Sequence, residues 1–323
     1  AKCKRSHSGI YEEKKARNLM QERYISSGGS KLHVIIWKPQ GEIRAVMQIS
    51  HGMIEYIKRY NHFAGYMNQS GILVIGNDHK GHGLTAQKDE DLGYFGEGKS
   101  AAVIEDLHEV TRYAKKQYGA DVPYFLFGHS MGSFMARRYL MTYGEELTGA
   151  IICGTGYTPG VVLTAGKLCA GVISKVKGER HRSKFLQKLA FGSYNKRIAD
   201  KRTANDWLTK NTEMVDAYNR DKYCTFLFTV NGYQTLFDVL GFIQKKENIE
   251  KIPKNLPVYM IAGEEDPVGN YGKGVEKVFE EYRKCGIRDL ELKLYEDDRH
   301  EILNELDREN VYLDVKNWIL KHI

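Results

Sequence analysis

Apolar residues recur along this chain in two alternating rhythms. Short runs over residues 32–37, 45–49, 72–76, 124–127, 150–153, 258–262 and 290–295 read as β-strands. Longer amphipathic stretches at helical period fall between them, including 101–118, 131–143, 275–283 and 311–320. Several short runs are apolar at nearly every position, which suits strands covered by helices on both faces. Alternation of this kind predicts an α/β fold built on a doubly wound, mostly parallel sheet. No internal repeat interrupts it.

The alternation breaks once. From residue 154 to about residue 230 the pattern is helical, without convincing strands, and this is too long for a loop in a compact domain. The expectation is therefore a core formed by 1–153 and 231–323, with residues 154–230 inserted as a helical cap. A length of 323 residues suits one large core with such an insertion. The composition, 42% hydrophobic and 28% charged with six prolines, excludes disordered and fibrous chains.

Charge singles out the insertion. The chain carries 48 Lys and Arg against 41 Asp and Glu, a formal +7. Residues 175–202 hold ten Lys or Arg against Glu179 and Asp200, a local +8. This stretch reads first as a solvated cap face. Attraction to anionic lipid headgroups, giving peripheral membrane contact, or to an anionic substrate is the sharper alternative. No nucleic-acid module accompanies the patch, so no nucleic-acid partner is expected. The apolar positions Val161, Val162, Leu163, Leu168, Val172, Ile173 and Val176 either line an acyl channel or pack the cap onto the core.

The longest charge-free stretch, 147–166, is long enough for a bilayer, but its glycines, threonines and Pro159 make it a strand running into a loop. Ala1-Lys2-Cys3-Lys4-Arg5 has no apolar run behind it, so no secretory signal is expected. The five cysteines are scattered and never spaced as CxxC, which suits reduced thiols in a cytoplasm and supplies no metal site.

Candidate chemistry centres on Gly128-His129-Ser130-Met131-Gly132. This GxSxG directly follows an apolar strand and directly precedes a helical pattern, the context in which a strained corner lifts the serine above a sheet. A serine hydroxyl needs a base, and the base an orienting acid. Of eleven histidines, His300 stands just after a late strand and before a helix. The acid is expected after the preceding strand, where Glu264-Glu265-Asp266-Pro267 lies. Asp266 is favoured because a proline fixes the turn after it, with Glu264 or Glu265 as substitutes. The order Ser130, Asp266, His300 is that of the α/β-hydrolases. A developing oxyanion needs two backbone donors, and the N–H groups of Met131 and of Met53, in His51-Gly52-Met53, are the candidates. His51 reads as loop packing. Asp78-His79-Lys80-Gly81-His82-Gly83 lacks dinucleotide spacing and a further metal ligand, and reads as a structural loop.

Taken together, these motifs resemble the monoacylglycerol lipase and lysophospholipase branch of the α/β-hydrolases. The resemblance runs from about Arg23 onward and includes His51 to Glu55 with Arg59-Tyr60, Asp78 to Gly83, the GxSxG, Gly263 with Asp266-Pro267-Val268, and Arg299 to Glu305. It implies a serine esterase without a cofactor, acting on single-chain lipid esters under a helical cap. It makes Ser130 the nucleophile, Asp266 the acid, His300 the base, and Met53 and Met131 the oxyanion donors. Tyr56 and Lys80 depart from the family's usual histidine and arginine. Epoxide hydrolases and dehalogenases need a carboxylate where Ser130 stands. A short-chain carboxylesterase, a thioesterase, an aminopeptidase and a ligand receptor of the same fold remain alternatives.

Overall fold

Residues Tyr124 to Phe127 alternate between two cores: Leu126 packs into one, Phe125 and Phe127 into the other. Val258, Met260 and Ala262 likewise face one side of the sheet, and Tyr259 and Ile261 the other. This is the period-two pattern of strands buried on both faces. The computed structural model describes residues 20–323. The N-terminal stretch Ala1–Arg5, with Cys3, lies outside the described residues.

Eight strands form one sheet: β1 (Met20–Ser27), β2 (Ser30–Trp37), β3 (Ala45–Ser50), β4 (Ile72–Asn77), β5 (Tyr124–His129), β6 (Gly149–Cys153), β7 (Val258–Gly263) and β8 (Leu290–Tyr295). Their spatial order is β1-β2-β4-β3-β5-β6-β7-β8. β1 pairs antiparallel with β2, and β2 with β4; every later pairing is parallel. The carboxyl ends of β3, β5, β7 and β8 therefore open on one edge, where an open α/β sheet presents its loops.

The main helices are α1 (Asn61–Asn68), α2 (Lys99–Tyr118), α3 (Met131–Tyr143), α4 (Gly160–Lys177), α5 (Lys184–Phe191), α6 (Thr212–Arg220), α7 (Val230–Ile243), α8 (Lys273–Lys284) and α9 (Arg308–Lys321). α1 and α9 cover one face through Phe63, Met67, Tyr312 and Val315. α2, α3 and α8 cover the other through Leu107, Leu140 and Val278. Each such side chain, fully withdrawn from water, contributes about 1.5–3 kcal/mol. α4, α5 and α6 fall between β6 and α7, and α7 packs on α2, α3 and α4. Within this stretch the one strand-like pairing among the described residues is the isolated bridge Arg182–Thr229.

Two features differ from the sequence reading. β1 is an additional strand: its polar Gln21-Glu22-Arg23 hides the pattern of an edge strand. Gly28 and Gly29, at φ 51° and 81°, make the two-residue turn that returns the chain into β2. Leu163 and Ile173 of α4 pack on the core, but five of the seven apolar positions named above fall otherwise than expected. Val161 is 84% exposed and Val176 76%, with Val162, Leu168 and Val172 also open to solvent. They therefore neither line an acyl channel nor pack the cap onto the core. Leu163, Gly166 and Ala170 form the buried stripe of this helix, with Ile173 half-buried beside it, and the exposed positions ride on the opposite side.

Candidate active site

Ser130 sits at the corner between β5 and α3 with φ 56° and ψ −124°, a strained conformation for a residue bearing a Cβ. The corner is held by backbone: Ser130 N–H donates to Cys153 O at 3.0 Å, and Ser133 N–H to Ser130 O at 2.8 Å. Its glycines are dictated by contact. A Cβ on Gly132 would stand 2.0 Å from Ser50 O, and one on Gly128 would stand 2.4 Å from Gly132 O. The turn can be this tight only without those side chains. Met131 opens α3, so its N–H is one of the amides a helix start leaves without an intrahelical carbonyl.

His300 lies in the loop after β8 and Asp266 in the loop after β7. His300 Nδ1 and Asp266 Oδ2 are 2.9 Å apart, and both side chains are buried. Val268 N–H donates to Asp266 Oδ1 at 2.9 Å, which orients the carboxylate. Burial works against charge on His300. Asp266, with Glu301 and Glu55 beyond it, outweighs burial and raises the imidazole above its ordinary value of 6.5. Glu264 and Glu265 are exposed and make no such contact with the histidine.

A bed of neutral histidines supports the loop carrying Met53. His51 Nδ1 bonds to Gly52 O at 2.8 Å, and its Nε2 accepts from His79 N–H at 2.9 Å. His82 Nε2 accepts from Ile54 N–H at 3.2 Å. Burial lowers all three, His82 to about 4. Asp78 anchors the same bed, accepting from Ile57 N–H and Leu84 N–H at 2.8 and 2.9 Å. Among the described residues no group of three or more His, Cys, Asp or Glu could hold a metal ion. The residue before Ser130, His129, is also buried and points its Nε2 at His300 O, 3.2 Å away.

Ser130, His300, Met53 and Met131 all line one cavity of about 530 Å³. Its walls divide by chemistry. Phe134, Leu236, Leu240 and Val268 provide an apolar side, while Gln187, Asn195, Asn205 and Thr225 provide a polar one. Lys184 and Lys188, exposed on α5, also border it. The structure thus brings Ser130, His300 and both candidate amides to one cavity, with Asp266 behind the histidine.

Sequence reasoning gave no role to three residues that meet next to this site. Arg59 bonds both Glu55 and Glu301, with Glu55 on the Met53 loop and Glu301 beside His300. Their presence in short motifs was visible; their meeting was not. Tyr56 donates to Asp221 at 2.5 Å, tying the Met53 loop to the segment after α6, and Lys80 stands 3.7 Å from Asp106.

Comparison with known proteins agrees with this architecture. The family model described as serine aminopeptidase, S33 matches residues 41–307. A monoacylglycerol lipase of Mycolicibacterium smegmatis is 25% identical over 94% of this chain and 98% of its own. A thermostable carboxyl esterase from Bacillus coagulans, solved in complex with glycerol, superposes with a TM-score of 0.87 at 32% identity, covering 94% of this chain and 98% of the other. A soluble variant of the monoglyceride lipase of Saccharomyces cerevisiae, solved with a substrate analog, gives a TM-score of 0.76 at 23% identity over 94% and 96% of the two chains.

Proposed function

The chain belongs to the serine aminopeptidase S33 family and has the α/β-hydrolase fold, and from that premise we propose that it hydrolyses single-chain lipid esters, of the monoacylglycerol or lysophospholipid type, through an acyl-enzyme on Ser130. The observation that carries this reading is the strained Ser130 in a half-apolar cavity that His300, backed by Asp266, also lines. The lipase and esterase relatives support the substrate class.

In the proposed reaction His300 takes the Ser130 proton as the hydroxyl oxygen attacks the ester carbonyl. Asp266 holds Nδ1–H, leaving Nε2 free to act as base. The Met53 and Met131 amides hold the oxyanion of the tetrahedral intermediate. The alcohol departs with the proton from His300, and water then releases the acyl group by the same steps. Protons and electron pairs all come from Ser130, His300 and water, so the scheme needs no cofactor. Residues 154–230 act as a cap, and the acyl chain lies along Phe134, Leu236 and Leu240 with the leaving alcohol toward the polar wall.

An aminopeptidase must hold a substrate ammonium, which needs an uncommitted carboxylate. Of the two carboxylates that border the cavity, Glu301 gives both oxygens to Arg59 and Glu55 gives one, so the charge on the rim weighs more. Lys184 and Lys188 on the rim repel a cation, which favours a neutral or anionic ester. The exposed apolar positions of α4, with exposed Phe185 and Leu189 on α5 and the exposed Lys175, Lys177, Lys184 and Lys188 of the same two helices, suit peripheral contact with an anionic bilayer. Among the described residues no helix is long and apolar enough to cross a membrane.

The test is hydrolysis of p-nitrophenyl esters from acetate to palmitate, then of monoacylglycerols and lysophospholipids, with Ser130→Ala alongside. Serine-dependent turnover rising with chain length, and lost by at least ~10³ in the variant, is expected. Activity confined to acetate and butyrate would make this a short-chain carboxylesterase. Turnover by Ser130→Ala within tenfold of wild type would remove the assignment altogether.

A further inference from the structure

Arg59 grips the two loops that meet over Ser130. Its Nη1 donates to Glu55 Oε2 at 3.0 Å and to Glu301 Oε1 at 2.9 Å, and its Nη2 donates to Glu301 Oε2 at 2.9 Å. Glu55 stands two residues beyond Met53, and Glu301 directly follows His300. The side chains of Arg59, Glu55 and Glu301 are only 14%, 5% and 4% exposed. Asn304 Nδ2 donates to Glu301 Oε2 at 2.7 Å, and the ring of Tyr218 lies 5.0 Å from the guanidinium. The fork-on-carboxylate geometry fixes direction as well as distance, which a lysine could not do. Withdrawing two carboxylates and one guanidinium from water costs desolvation that an apolar cluster would not incur, so fold stability alone does not account for this cluster.

We propose that Arg59 is a positioning residue, holding the oxyanion loop through Glu55 and the His300 loop through Glu301 at the spacing the ester reaction needs. This rests on the roles proposed above for Met53 and His300. The cluster also carries net charge: two carboxylates against one guanidinium leave −1 beside the base. Among the described residues, Asp266 from the β7 loop, Glu301 on its own loop and Glu55 from the Met53 loop act on His300; Arg59 is bonded to both glutamates, the His129 ring centre is 4.8 Å away, and Tyr194 lines the same cavity. Arg299 turns its guanidinium to Asp206 O at 2.7 Å, and the cap contributes the uncharged ring of Trp207 at 5.0 Å. Removing the Glu301 charge leaves the cluster neutral, whereas removing the Arg59 charge leaves it at −2. The two changes push protonation of His300 in opposite directions. The charge effect shows in the pH limb, and the positioning effect in the kcat lost by Arg59→Lys, which keeps the charge.

The experiment compares Glu301→Gln, Arg59→Met and Arg59→Lys in the full chain. It reads kcat and KM for p-nitrophenyl butyrate from pH 5 to 9, with Ser130 counted by a fluorophosphonate probe. Each variant is expected to lose about 10–100-fold in kcat per labelled serine with KM changed less than about threefold. The acid limb of the profile falls in Glu301→Gln and rises in Arg59→Met, each by roughly half a unit or more. Arg59→Lys keeps the charge but not the fork, so kcat drops while the limb stays near wild type. Should Arg59→Met fail to fold, Glu301→Gln and Arg59→Lys decide the matter. A kcat within about threefold of wild type in Glu301→Gln, or a limb that does not move downward in it, overturns the proposal. A wild-type protein inert to both the ester and the probe would bring down the proposed function, and this inference with it. An active wild type with unaffected variants removes only the Arg59 assignment.

Discussion

His300 Nδ1 lies 2.9 Å from Asp266 Oδ2, with neither side chain open to solvent. A buried carboxylate there favours the charged imidazole, yet in the proposed reaction His300 must be neutral to take a proton from Ser130. Because Asp266, aided by Glu301 and Glu55, outweighs burial and raises His300 above 6.5, kcat/KM is expected to fall with decreasing pH through a midpoint above 6.5. Asp266→Asn should cost roughly 10³–10⁴-fold in kcat and shift the residual acid limb downward, as burial is then less opposed. A pH series on a soluble p-nitrophenyl ester measures both. An unchanged midpoint would mean that another group sets it.

The neutral histidines under the Met53 loop predict acid sensitivity of the fold. The His82 imidazole is held at about 4 by burial, against 6.5 in the unfolded chain. Between those values the unfolded chain binds a proton that the folded one refuses, so stability declines as pH falls from 6.5 toward 4. One such group contributes about 3 kcal/mol over that window. Urea unfolding of wild type and His82→Asn at pH 7.5, 5.5 and 4.5 isolates this contribution, because shared groups cancel. The gap between the two proteins is expected to narrow on acidification, and a constant gap contradicts the argument.

Gly132 is the tightest point of the serine corner. An alanine Cβ there would overlap Ser50 O at 2.0 Å and His51 O at 2.4 Å, and both are backbone atoms of the strand end leading to Met53. Gly132→Ala is expected to destabilise by about 3 kcal/mol or more and to displace the Met53 loop from Ser130. Thermal unfolding together with fluorophosphonate labelling reads both effects. Wild-type labelling in a stable variant would show that the corner can relax.

The outward ridge of α4 gives a prediction specific to lipid surfaces. Val172→Asp with Val176→Asp changes residues 61% and 76% exposed, so stability should hold within about 0.5 kcal/mol. Turnover of a long-chain monoacylglycerol presented in anionic vesicles should fall several-fold, while p-nitrophenyl acetate hydrolysis stays unchanged. Vesicle co-sedimentation provides the direct reading. Equal loss on both substrates would place the effect in the cavity instead.

Much of this protein is written in local pattern. Apolar runs such as Tyr124–Phe127 and Val258–Ala262 identify central strands because both faces of the sheet demand apolar side chains. The glycines around Ser130 announce a corner too tight for any Cβ. Chain order alone also put Ser130, Asp266 and His300 after three separate strands, β5, β7 and β8, of a sheet whose carboxyl ends share one edge. Other features depend on what a residue finally meets. The apolar period of α4 shows that its exposed valines share a side, but not that nothing in the described fold covers them. β1 escapes because an edge strand needs backbone partners more than apolar side chains. Arg59 and Glu301 are 242 positions apart, and no local rhythm links them. Periodicity reports the neighbours within one element, whereas a buried charge cluster and a mixed cavity arise only when loops from distant strands converge.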